Sequence, residues 1–331
     1  MNILQKLKQV FDKPNKLNWF LRSRINELVL LIKRRRFGLV VVYLFSGVLG
    51  RSIYSKYLDF LTNRTKHNIV LADSRDYEML IDLHDRGLSK QLHLYGTRED
   101  KLATIFEQEV EKISSQVDSP LIVEAGANIG YYTILESNAI GGQGQIIGIE
   151  PSKSNINLLQ RNIRLNNCDD LTSIHHCALD STNGNAELQI SEQSNLHRLE
   201  NTASTNDQSE SESVTTWRLD DFLIDHEYDL ASVNVIRMDI EGAEMNALRG
   251  MLETLNESGP TLLFLEVHNH ILTSAQAKEL PQTLSNAGFE ICAVENASTI
   301  STPFSLTIDV GSWDELSDIP DAYGLIAKKQ A

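Results

Sequence analysis

Residues 123–132 read "VEAGANIGYY". An apolar run beginning at Leu121 closes on the acid Glu124. Two glycines, Gly126 and Gly130, then bracket Asn128 ahead of a helical pattern over 131–140. This is the order of a buried strand, a tight turn and a helix. In a doubly wound sheet such a turn is where the ligand binds: glycine permits positive φ and close backbone approach, and the helix aims its free N–H groups at the turn. A dinucleotide loop would space its glycines G-x-G-x-x-G to seat a pyrophosphate. Here the pattern is E-x-G-x-N-x-G, and an acid at 124 opposes a phosphate while suiting a cationic or amino-bearing ligand.

Outward from this loop, short apolar runs alternate with helical patterns. Strands are predicted at 145–151, 172–179, 186–191, 233–240, 261–268, 289–295 and 323–329, and helices at 98–117, 154–167, 243–255 and 274–288. Near-continuous Val/Ile/Leu strands separated by helices predict an α/β fold, a mostly parallel sheet covered on both faces. Residues 77–85 read as extended. The segment 191–213 is rich in Ser, Asn, Gln and Glu, buries little, and reads as a mobile surface insertion.

Three further stretches carry chemistry. Glu150 ends the strand in "GIEPS", about 24 residues after Gly126, where a carboxylate can accept both hydroxyls of a ribose. That supports a nucleoside ligand, and S-adenosylmethionine, with a sulfonium, an ammonium and no phosphate, matches the loop's charge. In "RMDIEGAE" (237–244), Asp239 and Glu241 alternate on one side of a strand end, while Glu241 and Glu244 could equally complement a helix dipole. In "FLEVHNH" (264–270), Glu266 and His268 share a face, and an imidazole there could take a proton or simply be a hydrogen-bonded structural group. Asp239, Glu266 and His268 could hold a metal by residue type, but the strand spacing does not demand one, and no metal is expected.

Together, "VEAGANIGYYTIL", "IGIEPSKSNINLLQRNIRLNN", "TTWRLDDF" and "VIRMDIEGAEMNALRGM" resemble the FkbM family of S-adenosylmethionine-dependent methyltransferases, and "LYGTRE" (94–99) resembles the segment before that family's first strand. The resemblance covers roughly residues 90–330. It implies a class I methyltransferase fold, a Rossmann-like doubly wound sheet of seven strands with the last one reversed. It implies that Glu124, Gly126, Asn128 and Gly130 hold the methionine part of the cofactor, Glu150 the ribose, and Ala178 and Leu179 the adenine. Asp239 would lie near the transferred methyl, with Asp239, His268 and Glu241 as catalytic candidates. O-methylation of a sugar, glycan or secondary metabolite is the implied reaction. Arg237 stands where lysine is common.

Charge divides the chain. Residues 1–66 hold 14 Lys/Arg against 3 Asp/Glu, and residues 67–331 hold 16 against 42. The acidic body argues against nucleic acid as its partner, because phosphate contact needs clustered Lys and Arg. Cys168, Cys177 and Cys292 are far apart and form no C-x-x-C pair, so a reducing cytoplasm is the expected compartment. The N-terminus does not look like a cleaved signal peptide. Its uncharged run 37–50 follows "KRRR" (33–36) and is shorter than the roughly 20 residues of a spanning helix. It reads as a buried helix of a basic N-terminal extension, with peripheral membrane contact through 28–51 as the alternative. Two rival functions stay open at this level. An NAD-dependent oxidoreductase would need the absent G-x-G-x-x-G, and a non-catalytic docking protein would be expected to lose cofactor-site residues. The sequence does not address oligomeric state.

Overall fold

A computed structural model describes residues 68–85, 87–191, 197–199, 211–259, 261–296 and 307–330. The basic extension 1–66, with the apolar run at 28–51, lies outside the described residues. Among the described residues no helix is long and apolar enough to cross a membrane.

In chain order the elements are β1 (Ile69–Ser74), β2 (Tyr77–Asp82), α1 (Leu88–Tyr95), α2 (Asp100–Ser114), β3 (Leu121–Ala125), α3 (Tyr131–Ala139), β4 (Gln145–Ile149), α4 (Lys153–Leu165), β5 (Thr172–His175), β6 (Ala178–Leu179), β7 (Gly184–Gln189), β8 (Arg198–Leu199), β9 (Ser211–Trp217), α5 (Leu219–Asp225), β10 (Val233–Met238), α6 (Glu244–Arg249), α7 (Leu252–Glu257), β11 (Thr261–His268), α8 (Ser274–Asn286), β12 (Glu290–Asn296) and β13 (Ala322–Lys329). The main sheet has seven strands in the order β12-β13-β11-β10-β3-β4-β5, parallel except for β13, which runs antiparallel to both neighbours. This is the class I methyltransferase architecture, with its reversed final strand.

The alternation of strand side chains builds two cores, one on each face. Val123, Ile147, Ile236 and Leu263 pack with α5 to α8, while Ile122, Ile146, Val235 and Phe264 pack with α2, α3, α4 and the β1–β2 hairpin. Helix α2 shows how sequence dictates the second layer: Leu102, Ala103, Phe106, Val110 and Ile113 form one buried stripe at helical spacing. Asn162 sits on the buried face of α4. Its amide accepts from Leu80 N–H (2.7 Å) and donates to the carbonyls of Leu80 (3.0 Å) and Ile129 (2.8 Å), tying the hairpin to the glycine turn.

The structure refines the expected elements in three places. The run 172–179 divides at His176–Cys177, so β5 stays in the main sheet while β6 joins a second sheet ordered β6-β9-β7-β8. Within 191–213, Arg198–Leu199 pairs with β7, and Ser211–Ser213 belong to β9. The helix predicted over 243–255 breaks into α6 and α7 at Gly250. There a Cβ would lie 2.2 Å from the carbonyl oxygen of Asp180, so a passing loop requires glycine and interrupts the helix.

Candidate active site

The carboxyl ends of β3, β4 and β10 meet at one corner. Gly126 and Ala127 N–H both donate to Ile149 O (2.9 and 3.1 Å), and Asp239 N–H donates to Ala125 O (3.0 Å). Gly126 has φ +82°, and a Cβ on it would lie 2.0 Å from the carbonyl oxygen of Asp239. Any side chain there would force the two loops apart. Over this corner opens a cavity lined by Gly126, Asn128, Glu150, Ala178, Leu179, Asp239 and Glu241, with Leu188, Leu199 and His197 of the second sheet and its approach. No lysine or arginine is among the described residues that line it.

The structure therefore gathers most of the residues singled out by sequence, but not all of them around the cavity. Glu124 is fully buried behind the wall, where its carboxylate accepts from Thr133 Oγ1 and, at 3.4 Å, from Arg237 Nη1. Burial, opposed by Arg237, pushes it up to about 7. Gly130 also stands behind the wall. A Cβ on it would meet Leu159 of α4 at 2.8 Å, so this glycine serves the packing of α3 on α4.

Glu150 is 3% exposed and is gripped by neutral donors only. Asn128 N–H reaches Oε2 at 2.8 Å, while Ser152 N–H and Asn155 Nδ2 reach Oε1 at 3.0 and 3.1 Å. Burial nonetheless pushes its carboxyl up to about 7, because no cation compensates the lost hydration.

Asp239 has the opposite surroundings. Its Oδ2 lies 3.3 Å from Arg98 Nη2 and 3.4 Å from Arg237 Nη2, and its buried Oδ1 has no hydrogen-bond partner among the described residues. Burial raises its pKa, but the two guanidinium groups more than reverse this and hold it below the usual carboxylate range. Arg237 is itself fixed by lying 3.7 Å over the ring of Tyr132.

Beside Asp239, His268 stands between two acids. Its Nδ1 is 2.7 Å from Glu244 Oε1 and its Nε2 is 3.3 Å from Glu241 Oε2. Burial opposes its charge, but the Glu244 and Glu241 carboxylates win and raise it to about 10. Glu241, at φ +51°, is pushed by burial up to about 7 despite His268. Asp239, Glu266 and His268 do converge, with one ligand atom of each within 4.8 Å of the others. Arg98 Nη2 already lies 3.0 Å from Glu266 Oε2 and 3.3 Å from Asp239 Oδ2, so a guanidinium supplies the positive charge there.

Sequence reasoning passed over Arg98 and undervalued Glu244. The sequence reading of Glu244 as a helix-dipole acid accounts for its place at the start of α6 but not for its 2.7 Å contact with His268 Nδ1. Asp220 of the "TTWRLDDF" stretch serves the fold. Its buried carboxylate accepts from Thr254 N–H (2.9 Å) and Glu253 N–H (3.2 Å), satisfying the first turn of α7.

A neutral-donor acid on one wall, apolar side chains on another and no basic group fit a cationic, phosphate-free nucleoside. Comparison with known proteins identifies a family. The methyltransferase FkbM domain matches residues 124–291. Methyltransferase 1 of Beauveria bassiana is 29% identical over 163 residues, 44% of this chain and 64% of its own length. Methyltransferase sdnD of Sordaria araneosa is 26% identical over 174 residues, 45% and 67% of the two chains. The chain thus spans about two thirds of the length of these relatives. Among solved structures, the O-methyltransferase of Bacillus cereus in complex with SAH aligns over 69% of this chain and 81% of its own, at 12% identity and a TM-score of 0.38.

Proposed function

The chain belongs to the FkbM methyltransferase family and takes S-adenosylmethionine as its methyl donor, and on that premise we propose that it methylates a hydroxyl group of a sugar, a glycan or a small metabolite. The observation that carries this reading is Glu241. It is a carboxylate on the cavity wall, poised near neutrality and backed by a charged imidazole 3.3 Å away. An aliphatic hydroxyl is a poor nucleophile until it loses its proton, and a proton acceptor at this place answers that need.

When bound, the cofactor supplies a methyl group made electrophilic by its sulfonium. In this reading Glu150 would receive the ribose hydroxyls, and Gly126 and Asn128 would allow close approach of the methionine part. Ala178, Leu179, Leu188 and Leu199 would hold the base, and the Asp239 carboxylate would supply negative charge toward the positive end. Glu124 and Gly130 act from behind the wall, one by fixing Arg237 and the other by letting α3 pack.

Three groups could take the proton, and their surroundings support one of them. His268 is already charged at neutral pH because its pKa is raised to about 10. Asp239 is held below the ordinary range and stays an anion. Glu241 remains: its carboxylate would take the proton of the acceptor hydroxyl, which makes that oxygen nucleophilic toward the methyl group the cofactor supplies. Glu244 keeps His268 charged and oriented. The described residues that line the cavity include no lysine or arginine, which favours a neutral acceptor over a phosphorylated one.

The test is incubation of the purified chain with methyl-labelled S-adenosylmethionine and panels of neutral sugars, glycans and small hydroxyl metabolites. Label on an oxygen is the expected outcome; label only on nitrogen or carbon sinks the reading. Glu241→Gln should lower turnover about 10²–10⁴-fold while cofactor affinity holds. Undiminished turnover would remove Glu241 from the role of base.

A further inference from the structure

Residues 96–99, in the turn between α1 and α2, lie outside the segment matched by the family domain, yet they reach the centre of the site. Thr97, Arg98 and Glu99 are 0%, 6% and 1% exposed, an unusual state for a polar turn. Gly96 (φ +64°) ends α1, and Glu99 (φ +49°) begins α2 in the left-handed region. The turn is fastened to the first residues of α3: Thr97 Oγ1 is 3.0 Å from Tyr131 OH, Tyr131 OH donates to Arg98 O at 3.1 Å, and Tyr132 OH donates to Glu99 Oε2 at 3.1 Å. Arg98 extends from this anchored backbone to Asp239 and Glu266.

We infer that Arg98 is a positioning residue for methyl transfer: with Arg237 it grips Oδ2 of Asp239 and so fixes this carboxylate on the cavity wall, where the positive end of the bound cofactor would lie. The geometry behind this is specific. Two guanidinium groups arrive from different elements, one from the 96–99 turn and one from β10, and both meet the same oxygen. Glu266 meets the same Nη2 of Arg98 at 3.0 Å, so two carboxylates fix this one nitrogen. Because the turn rests on Tyr131 and Tyr132, which open α3 directly after the glycine loop, Asp239 is aligned against the same helix that borders the cofactor loop. The segment before the matched domain thereby completes the site. This inference rests on the placement of Asp239 beside the methyl group.

The experiment is calorimetric titration of the full chain with S-adenosylmethionine, in wild type, Arg98→Gln, Arg98→Lys, Asp239→Asn and the double variant Arg98→Gln/Asp239→Asn. Arg98→Gln is expected to weaken binding about tenfold, Arg98→Lys to recover part of that, and the Arg98 change to cost nothing further once Asp239 is neutral. Additive losses, or wild-type affinity in Arg98→Gln, would overturn the inference. Melting curves accompany each variant; if Arg98→Gln does not fold, the same cycle is run with Arg98→Lys. A wild-type chain that binds no S-adenosylmethionine would sink the placement of Asp239 together with the inference, whereas binding with an additive cycle would sink the inference alone.

Discussion

Glu150 and Asp239 occupy equivalent positions, each just beyond the carboxyl end of a parallel strand on the wall of one cavity, yet their environments are opposite. Glu150 is held by two backbone N–H groups and an amide, all neutral, and its carboxyl is pushed up to about 7. Asp239 is held by two guanidinium groups and stays ionised. Neutral dipoles orient a buried acid without fixing its charge, whereas cations fix both. One wall can therefore adjust its charge when a ligand arrives, while the other offers a permanent negative point.

The sharpest way to break this contrast is Asp239→Asn. It leaves two buried guanidinium groups short of a counter-charge and should cost about 2–5 kcal/mol of cofactor binding, at least about thirtyfold in affinity by calorimetry. Near wild-type binding would show that the permanent charge is not needed.

Next in size is the pH dependence of the ligand-free protein. The raised carboxyl of Glu150 gives stability that is fully present below its ordinary pKa near 4.5 and is lost as pH rises through about 7. The group contributes up to about 3 kcal/mol, so the melting temperature should be higher at pH 5 than at pH 8 and the gap should narrow in Glu150→Gln. An unchanged gap would mean that neutral donors fix the charge after all.

A smaller effect is expected on binding itself. Glu150→Gln should weaken S-adenosylmethionine about tenfold at pH 8, roughly 1.4 kcal/mol, and should flatten the rise in affinity across pH 6–8. If the rise persists, another acid supplies it. The least of the four is Glu136→Gln on α3. This fully buried carboxyl has no hydrogen-bond partner on either oxygen, and burial beside Glu124 holds it well above the usual range. Its replacement should raise stability at pH 8 by about 1 kcal/mol, read from urea midpoints.

Much of the sheet was legible because its strands are buried on both faces and therefore written as uninterrupted apolar runs, such as Thr261–His268. The acids that close those runs, Glu150 and Asp239, stood out for the same reason. The second sheet was harder to see. Its central strand Gly184–Gln189 is polar and largely exposed, with Leu188 as its one fully buried side chain, so little patterning marks it. The break at Gly250 came from the Asp180 carbonyl, a contact between distant residues that no local rule contains. Arg98 was hidden for a different reason. In "TREDK" it looks like the solvated start of a helix, and only Tyr131 and Thr97, by anchoring the turn, carry it inward. His268 shows the limit of reading residue types alone: an imidazole near a hydroxyl suggests a base, until two flanking carboxylates make it a cation.

The small sheet β6-β9-β7-β8 gives the cavity an apolar wall and, among the described residues, shares no ladder with the seven-stranded sheet. The molecule is therefore partitioned like a vice with one interchangeable jaw. Changes to Leu188 or Leu199 can reshape the space for the cofactor's base while the corner where Gly126 meets Asp239 keeps its register, and a library aimed at base-modified cofactor analogues should be confined to that jaw.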